Sequence, residues 1–134
     1  MLRVSRATDY ALIFLTNLAE RPEKKWNVRE ASEELKISRR YLANITHQLA
    51  RKGIITTAKG AGGGVTLHKS SDDITIGDVV ELFEGAVSIT DCIGSDVECE
   101  RSDHCRMQSF WRTLSKDIKD YLNNKTLEEL GEMR

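Results

Sequence analysis

Apolar positions recur at helical spacing through the first fifty residues and predict three successive helices. The first covers residues 6 to 20 and cannot continue past Pro22. The second starts at the capping pair Asn27 and Glu30, and the third runs from the N-cap Ser38 to about residue 52, where Gly53 ends it. The inner faces of these helices are predicted to be Tyr10, Ala11, Phe14, Leu15 and Leu18; Val28, Ala31 and Leu35; and Leu42, Ile45 and Leu49.

The outer face of the third helix is polar and basic. At 100° per residue, it holds Arg39, Arg40, Ala43, Asn44, His47 and Arg51. Guanidinium and amide groups can read the edges of bases, and the second helix of a helix-turn-helix enters the major groove. The pattern therefore predicts a DNA-reading helix.

Two short β-type runs follow, at residues 54–58 and 65–69. The six residues between them, Lys59 to Gly64, include four glycines and are typical of a hairpin tip. Glycine lets backbone amides approach a phosphate closely, and Lys59 adds positive charge. The stretch lacks the pattern of a nucleotide-binding loop and opens no helix. The order of these elements predicts a winged helix-turn-helix.

The rest of the chain is predicted to be helical around one irregular segment. Thr75 is expected to cap a helix over residues 76–84, with Ile76, Val79, Val80 and Phe83 inward and Gly85 at its end. Residues 86–90 are expected to be extended. A long helix is then predicted from a cap at Ser102 or Asp103 to about residue 123, and Thr126 with Glu129 should cap a final short turn.

The long C-terminal helix has an apolar stripe that is wide for one exposed helix. Such a stripe favours packing both on its own domain and on a second copy of the chain, with purely intramolecular packing as the alternative. The stripe consists of Phe110, Trp111, Leu114, Ile118, Tyr121 and Leu122.

Length and composition fit a small cytoplasmic protein. With 134 residues the chain can form one compact domain, or one domain plus an oligomerisation element. No apolar run approaches the roughly 18 residues of a membrane span, and the N-terminus lacks the features of a secretory signal. We expect no membrane partner. An enzyme or electron carrier is a rival class, but the chain lacks a His/Asp/Ser constellation for a substrate site.

The net charge of −1 hides a strong asymmetry between the two halves of the chain. Residues 1–69 hold 13 Lys/Arg and 6 Asp/Glu, a balance of +7, whereas residues 70–134 hold 7 and 15, a balance of −8. No acidic residue occurs between Glu34 and Asp72. Because polyanion binding depends on local charge, the first half qualifies as a nucleic-acid binder.

All three cysteines lie in one polar stretch, Cys92 to Cys105, with the spacing C-x6-C-x5-C. An odd number of cysteines in a reducing compartment disfavours structural disulfides. Four interpretations remain open on spacing alone. The thiols could hold an iron–sulfur cluster with a carboxylate or histidine as fourth ligand, or a zinc ion together with His104. They could also form a metal-free thiol switch, or have no chemical role.

The whole chain resembles the IscR/NsrR family of bacterial winged-helix transcription regulators. The matching segments are TDYAL at 8–12, ISRRYL at 37–42, KGAGGGVTL at 59–67, ITIGDVVE at 74–81, the three cysteines, and the C-terminal helix that ends before TLEEL. The resemblance implies a homodimer that binds pseudo-palindromic double-stranded promoter DNA. It also implies a 2Fe–2S or 4Fe–4S cluster that reports iron–sulfur status, nitric oxide or redox state.

Carried over by position, the resemblance makes Cys92, Cys99 and Cys105 the cluster ligands. Nitric-oxide sensors of this kind use the aspartate of the TDY motif, from the other subunit, as fourth ligand. That residue is Asp9 here, which by itself would be only an acidic partner of the helix dipole. Assembly regulators use a histidine at the position of Gln108 instead. The partner's Asp9 is therefore the expected fourth ligand, with Glu98 and His104 as alternatives.

The resemblance also assigns the DNA contacts and the organisation of the chain. Ser38, Arg39, Arg40 and Tyr41 would begin the recognition helix, whose outer face continues with Asn44 and His47. Lys59 and Gly60 would bring the wing to the minor groove. Ala43 stands where assembly regulators carry a base-reading glutamate. The expected fold is mainly α with a small β-hairpin wing: a winged helix-turn-helix at 1–85, a cysteine-bearing loop at 86–105, and a dimerisation helix with a C-terminal turn at 106–134.

Overall fold

Six α-helices and one two-stranded antiparallel hairpin make up the described part of the chain, in a computed structural model that describes residues 3–23, 25–60, 63–90, 92 and 99–133. The predicted fold class is confirmed. The elements are α1 (Arg6–Glu20), α2 (Val28–Leu35), α3 (Arg39–Arg51), β1 (Ile55–Ala58), β2 (Gly64–Leu67), α4 (Ile76–Glu84), a 3-10 turn (Ser102–His104), α5 (Met107–Asn123) and α6 (Leu127–Glu132).

Polar side chains set the starts of five of these helices. The predicted caps Asn27, Ser38, Thr75 and Thr126 each accept a hydrogen bond from the backbone amide three residues later, and Ser5 does the same for α1. Such a bond satisfies one of the amide groups that the first helical turn leaves without a partner. The local sequence was therefore sufficient to predict where these helices begin.

The predicted start of the long C-terminal helix is wrong. Ser102 caps no helix; it opens the separate 3-10 turn, and α5 begins only at Met107 without any side-chain cap. The reason lies at Cys105, whose backbone is extended (φ −104°, ψ 102°) and interrupts the helical path between the two elements. Residues 86–90, predicted to be extended, form no strand, and bends occur at residues 86, 89 and 90.

The core lies where α1, α3 and the base of the hairpin meet. Trp26 is 1% exposed and stacks on Phe14 with ring centroids 5.8 Å apart, while its carbonyl accepts a 2.8 Å hydrogen bond from the Val65 amide. The hairpin is therefore attached to the helical core through its second strand. The largest fully buried side chains are Trp26, Phe14, Leu15, Leu42, Ile45, Leu49, Ile74, Leu127, Val79 and Thr8.

The end of the chain returns to this core. The amide of Leu127, which is 1% exposed, donates to the carbonyl of Ile74, and α6 packs against α1. The end of α5 crosses α4 so closely that a Cβ atom on Gly77 would overlap the side-chain amide oxygen of Asn123. No helix within these described ranges is long and apolar enough to cross a membrane.

Candidate DNA-binding surface and cysteine segment

The two faces of α3 separate as the sequence predicts. Leu42, Ile45 and Leu49 are at most 1% exposed and hold the helix against α1 and α2. The opposite face is open to solvent, and its exposed residues are Arg39, Arg40, Ala43, Asn44, His47 and Arg51. This arrangement leaves three guanidinium groups and one amide free to meet a polyanion, while the helix axis is fixed by the core.

Tyr41 also belongs to the packing of the domain. The residue is 37% exposed, and its ring meets the ring of Tyr10 edge to face, with centroids 5.5 Å apart. The first turn of α3 is therefore in direct contact with α1, one residue after Asp9.

The predicted wing tip is only partly described. Lys59 and Gly60 follow β1 and are exposed, and the carbonyl of Gly60 accepts a 3.0 Å hydrogen bond from the amide of Gly63. Ala61 and Gly62 lie outside the described residues. Gly60 has φ +101°, a conformation that residues with a side chain rarely adopt, so the turn after Lys59 depends on glycine.

The three cysteines are free thiols and each is half-buried. Cys92 Sγ lies 3.0 Å from Thr90 Oγ1, and the carbonyl of Cys99 accepts from the amide of Ser102 at 3.0 Å. Cys105 lies between the 3-10 turn and α5. Residues 91 and 93–98, with the alternative ligand Glu98, lie outside the described residues.

The donor chemistry of the segment fits an iron–sulfur cluster, because three free thiols are the ligand type such clusters require. Within the described residues, no group of three His, Cys, Asp or Glu side chains is placed to hold a metal ion. His104 is exposed, and Gln108, the position where the resemblance implies a histidine ligand in assembly regulators, is half-buried in the first turn of α5.

Asp9 is exposed in the first turn of α1, beside a group of hydrogen bonds that joins this turn to the end of α4. Glu84 Oε1 accepts from the amide of Ser5 at 2.7 Å and from the hydroxyl of Thr8 at 2.6 Å. Thr8 is completely buried. These bonds, with Ser5 ahead of Thr8, lower the pKa of Glu84 below its usual value, although a slight desolvation of the exposed carboxylate opposes the shift. Glu84 lies two residues before the start of the cysteine-bearing segment at 86–105.

Replacing Glu84 with Gln should therefore make the free energy of unfolding depend less on pH in the acid range. The carboxylate has a lower pKa in the folded chain than in the unfolded chain, so its contribution is complete above the ordinary pKa of about 4.5 and is lost as the pH falls through the folded-state value. At neutral pH we expect a loss of at most about 1 kcal/mol, because the group is exposed. Urea unfolding between pH 3 and pH 7 measures both effects. Glu81→Gln, on the same helix but without a bond to α1, should retain the wild-type profile.

Three residues of this region were not predicted from the sequence: Thr8, Glu84 and Ser115. Thr8 and Ser115 are the buried polar side chains of α1 and α5. The sequence contained a signal for the burial of Thr8 and Ser115, because each lies at helical spacing on the apolar stripe of its own helix. Glu84 offered none, since its partner Thr8 is 76 residues away.

Comparison with known proteins identifies the chain. The family described as Rrf2, iron-dependent transcriptional regulator, matches residues 4–133. The chain belongs to the Rrf2 family. Among its relatives, the transcriptional regulator IscR of Pectobacterium carotovorum is 33% identical over 130 residues, which cover 96% of this chain and 79% of that protein. The predicted family and the prediction that the chain is a regulator rather than an enzyme are confirmed.

Solved structures of Rrf2 relatives share the fold over nearly the whole chain. CymR, the global cysteine regulator of Bacillus subtilis, superposes with a TM-score of 0.81 and 25% identity, covering 100% of this chain and 99% of that one. The oxidised form of CymR from Staphylococcus aureus gives a TM-score of 0.78 with 26% identity, covering 98% and 97%. The winged-helix architecture is therefore shared with the CymR structures.

Proposed function

We propose that the chain is a cytoplasmic, homodimeric DNA-binding regulator whose hold on promoter DNA is controlled by an iron–sulfur cluster bound to Cys92, Cys99 and Cys105. One observation carries the proposal. A chain of the Rrf2 family combines an exposed basic face on α3 with a segment that holds three free thiols between α4 and α5. In this proposal residues 1–85 bind DNA, residues 86–105 carry the cluster that senses the signal, and residues 106–134 form the contact with the second subunit.

In the DNA-binding half, α3 enters the major groove and the hairpin enters the adjacent minor groove. Ser38, Arg39 and Arg40 lie at the N-terminal end of α3, which is the end that reaches base edges in a helix-turn-helix. Asn44 and His47 continue the same exposed face, and Lys59 with Gly60 carries charge at the wing. The two copies of α3 in a dimer would read half-sites that lie about one helical turn of DNA, roughly 34 Å, apart.

Alanine in place of Arg40 should weaken specific binding about 10- to 100-fold and relax the preference at one base pair in each half-site, because a guanidinium contact to a base is worth about 1–3 kcal/mol. Alanine in place of Lys59 should weaken binding evenly across sequences and reduce its dependence on salt. The operator is first selected with wild-type protein from a random duplex library, and affinities are measured by fluorescence anisotropy over several salt concentrations. Arg112→Ala, an exposed arginine on α5, should bind as wild type does.

In the sensing half, the three thiolates would hold the cluster with the partner's Asp9 as the fourth ligand. When bound, the cluster supplies a centre that reacts with oxidants or nitric oxide. The chain connects this segment to the reading helix through the hydrogen bonds of Glu84 to Ser5 and Thr8, and then through the contact of Tyr10 with Tyr41. A shift of the segment can therefore tilt α3, and only a few kcal/mol of difference between two states is needed.

The direct test is the composition of anaerobically purified protein. We expect a brown protein with equal iron and sulfide, whose ratio to protein separates 2Fe–2S from 4Fe–4S, and whose operator affinity changes when the cluster is removed. Identical affinities of loaded and stripped protein would contradict control by the cluster.

A metal-free thiol switch is the second candidate, favoured by the existence of an oxidised form of the related Staphylococcus regulator and by the three free thiols here. This candidate predicts colourless protein that fails reconstitution with iron and sulfide, and whose DNA binding responds to peroxide and is restored by dithiothreitol. Colourless protein that holds one zinc ion would indicate a structural metal site instead.

A further inference from the structure

Ser115 is the only buried residue of α5. Its relative exposure is 4%, whereas the apolar residues of the same helix remain half-buried or exposed. At 100° per residue, Ser115 lies at the edge of the stripe next to Leu122, and Phe110 and Tyr121 lie at the other edge. A polar residue thus occupies the position of α5 that is covered best by the rest of the chain.

A hydroxyl in such a place needs a hydrogen-bond partner, because burying it without one costs free energy. Ser115 Oγ accepts a 3.3 Å hydrogen bond from the backbone amide of Ile89, in the irregular segment that follows α4. A larger side chain at this position would hold the segment away from α5, so the small size and the oxygen of serine both contribute.

The same segment carries the first cysteine three residues later. Ser88 Oγ donates to the carbonyl of Thr90 at 2.9 Å, which folds residues 88–90 into a tight bend. Thr90 Oγ1 in turn forms a 3.0 Å hydrogen bond with Cys92 Sγ. Two hydrogen bonds, of 3.3 Å at Ile89 and 3.0 Å at Thr90, together with the backbone between these residues, therefore connect the middle of α5 to the thiol.

We propose that Ser115 is a positioning residue for Cys92. By holding the amide of Ile89, it fixes the place of the Cys92 thiol relative to α5, and Thr90 fixes the direction of that thiol. A displacement of α5 then moves Cys92, and by reciprocity any change of chemical state at Cys92 biases the position of α5. The importance of this link for sensing rests on the proposed cluster function, but the link itself does not.

The test measures the alkylation rate of each cysteine in reduced, metal-free, full-length protein, with iodoacetamide and peptide mass spectrometry. Ser115→Ala should increase the rate at Cys92 about five-fold, the effect of losing one net hydrogen bond of about 1 kcal/mol. Ser109→Ala makes the same change at an exposed position of α5 and should leave all rates unchanged. Thr90→Val removes the last bond of the series outside any helix, and should also accelerate Cys92.

Three outcomes would overturn the proposal. Equal Cys92 rates in the Ser115 and Ser109 variants would mean that the buried hydroxyl does not position the thiol. Parallel acceleration of Cys92, Cys99 and Cys105 would mean that the substitution loosens the whole segment, and unchanged Cys92 rates in Thr90→Val would remove the connection to the thiol. If the protein never takes up iron, the proposed function fails, but the alkylation contrast still decides the role of Ser115.

Discussion

Serine in place of Cys92 should reduce the iron and sulfide of the purified protein at least ten-fold and make operator binding independent of iron supply, while the winged helix remains folded. Thiolates are the ligands of iron–sulfur clusters, and a serine hydroxyl is protonated at neutral pH and binds iron far less well. The fold should tolerate the change, because Cys92 is half-buried and belongs to no helix or strand. Iron and sulfide assays and anisotropy titrations of the anaerobic protein measure the two effects.

Ser102→Ala provides the matched control, since Ser102 lies in the same segment, caps no helix and has no thiol. It should keep its iron and the iron dependence of DNA binding. If Cys92→Ser retained iron equal to wild type, the assignment of this thiol as a ligand would be wrong.

If the Asp9→Ala homodimer is colourless, a mixed dimer can decide whether Asp9 acts within its own chain or across the subunit interface. One subunit carries Asp9→Ala and its partner carries Cys92→Ser. If Asp9 acts across the subunit interface, the cysteines of the first subunit meet an intact carboxylate, and the mixed dimer holds one cluster. If Asp9 acts within its own chain, neither site is complete and the mixed dimer is colourless.

The sequence was a good guide wherever the determining interactions are local. Asn27, Ser38, Thr75 and Thr126 cap helices because each oxygen reaches an amide only three residues away. The same reasoning failed at Ser102, because the extended backbone of Cys105 outweighs a favourable capping residue. Local preference is a weak determinant that its surroundings can override.

The candidate site could be predicted only in its ligand types. Three cysteines in a polar stretch indicated thiol or metal chemistry, and the basic face of α3 followed from helical periodicity. The residues that hold these functional groups in place do so through contacts between positions far apart in the sequence, such as Thr8 with Glu84 and Ile89 with Ser115. No periodicity links such pairs, since their proximity results from how α1, α4 and α5 pack.

The exposed edge of α5 has the character of an interface with a second copy. Phe110 is 54% exposed and Tyr121 61%, on a helix whose other edge already packs on α4 and on the cysteine segment. Aromatic side chains at the centre of a contact contribute most of its binding energy. The same helix would therefore join the subunits along one edge and hold Cys92 through Ser115 along the other, so that dimer geometry and thiol position depend on one rigid element.

Glutamate in place of Phe110 should therefore give a monomer that still folds but binds a palindromic operator about 10²- to 10⁴-fold more weakly. A carboxylate buried in an apolar contact would lose its hydration without gaining a partner, whereas on the free monomer it stays in water. In a dimer, binding of one subunit to its half-site raises the effective concentration of the other subunit at the second half-site, and separate subunits lose this gain. Sedimentation equilibrium and anisotropy titrations measure the two consequences. Ser109→Glu puts the same charge on the adjacent, outward position of α5 and should remain dimeric. A dimeric Phe110→Glu variant would place the subunit contact elsewhere and leave the apolar edge of α5 without this role.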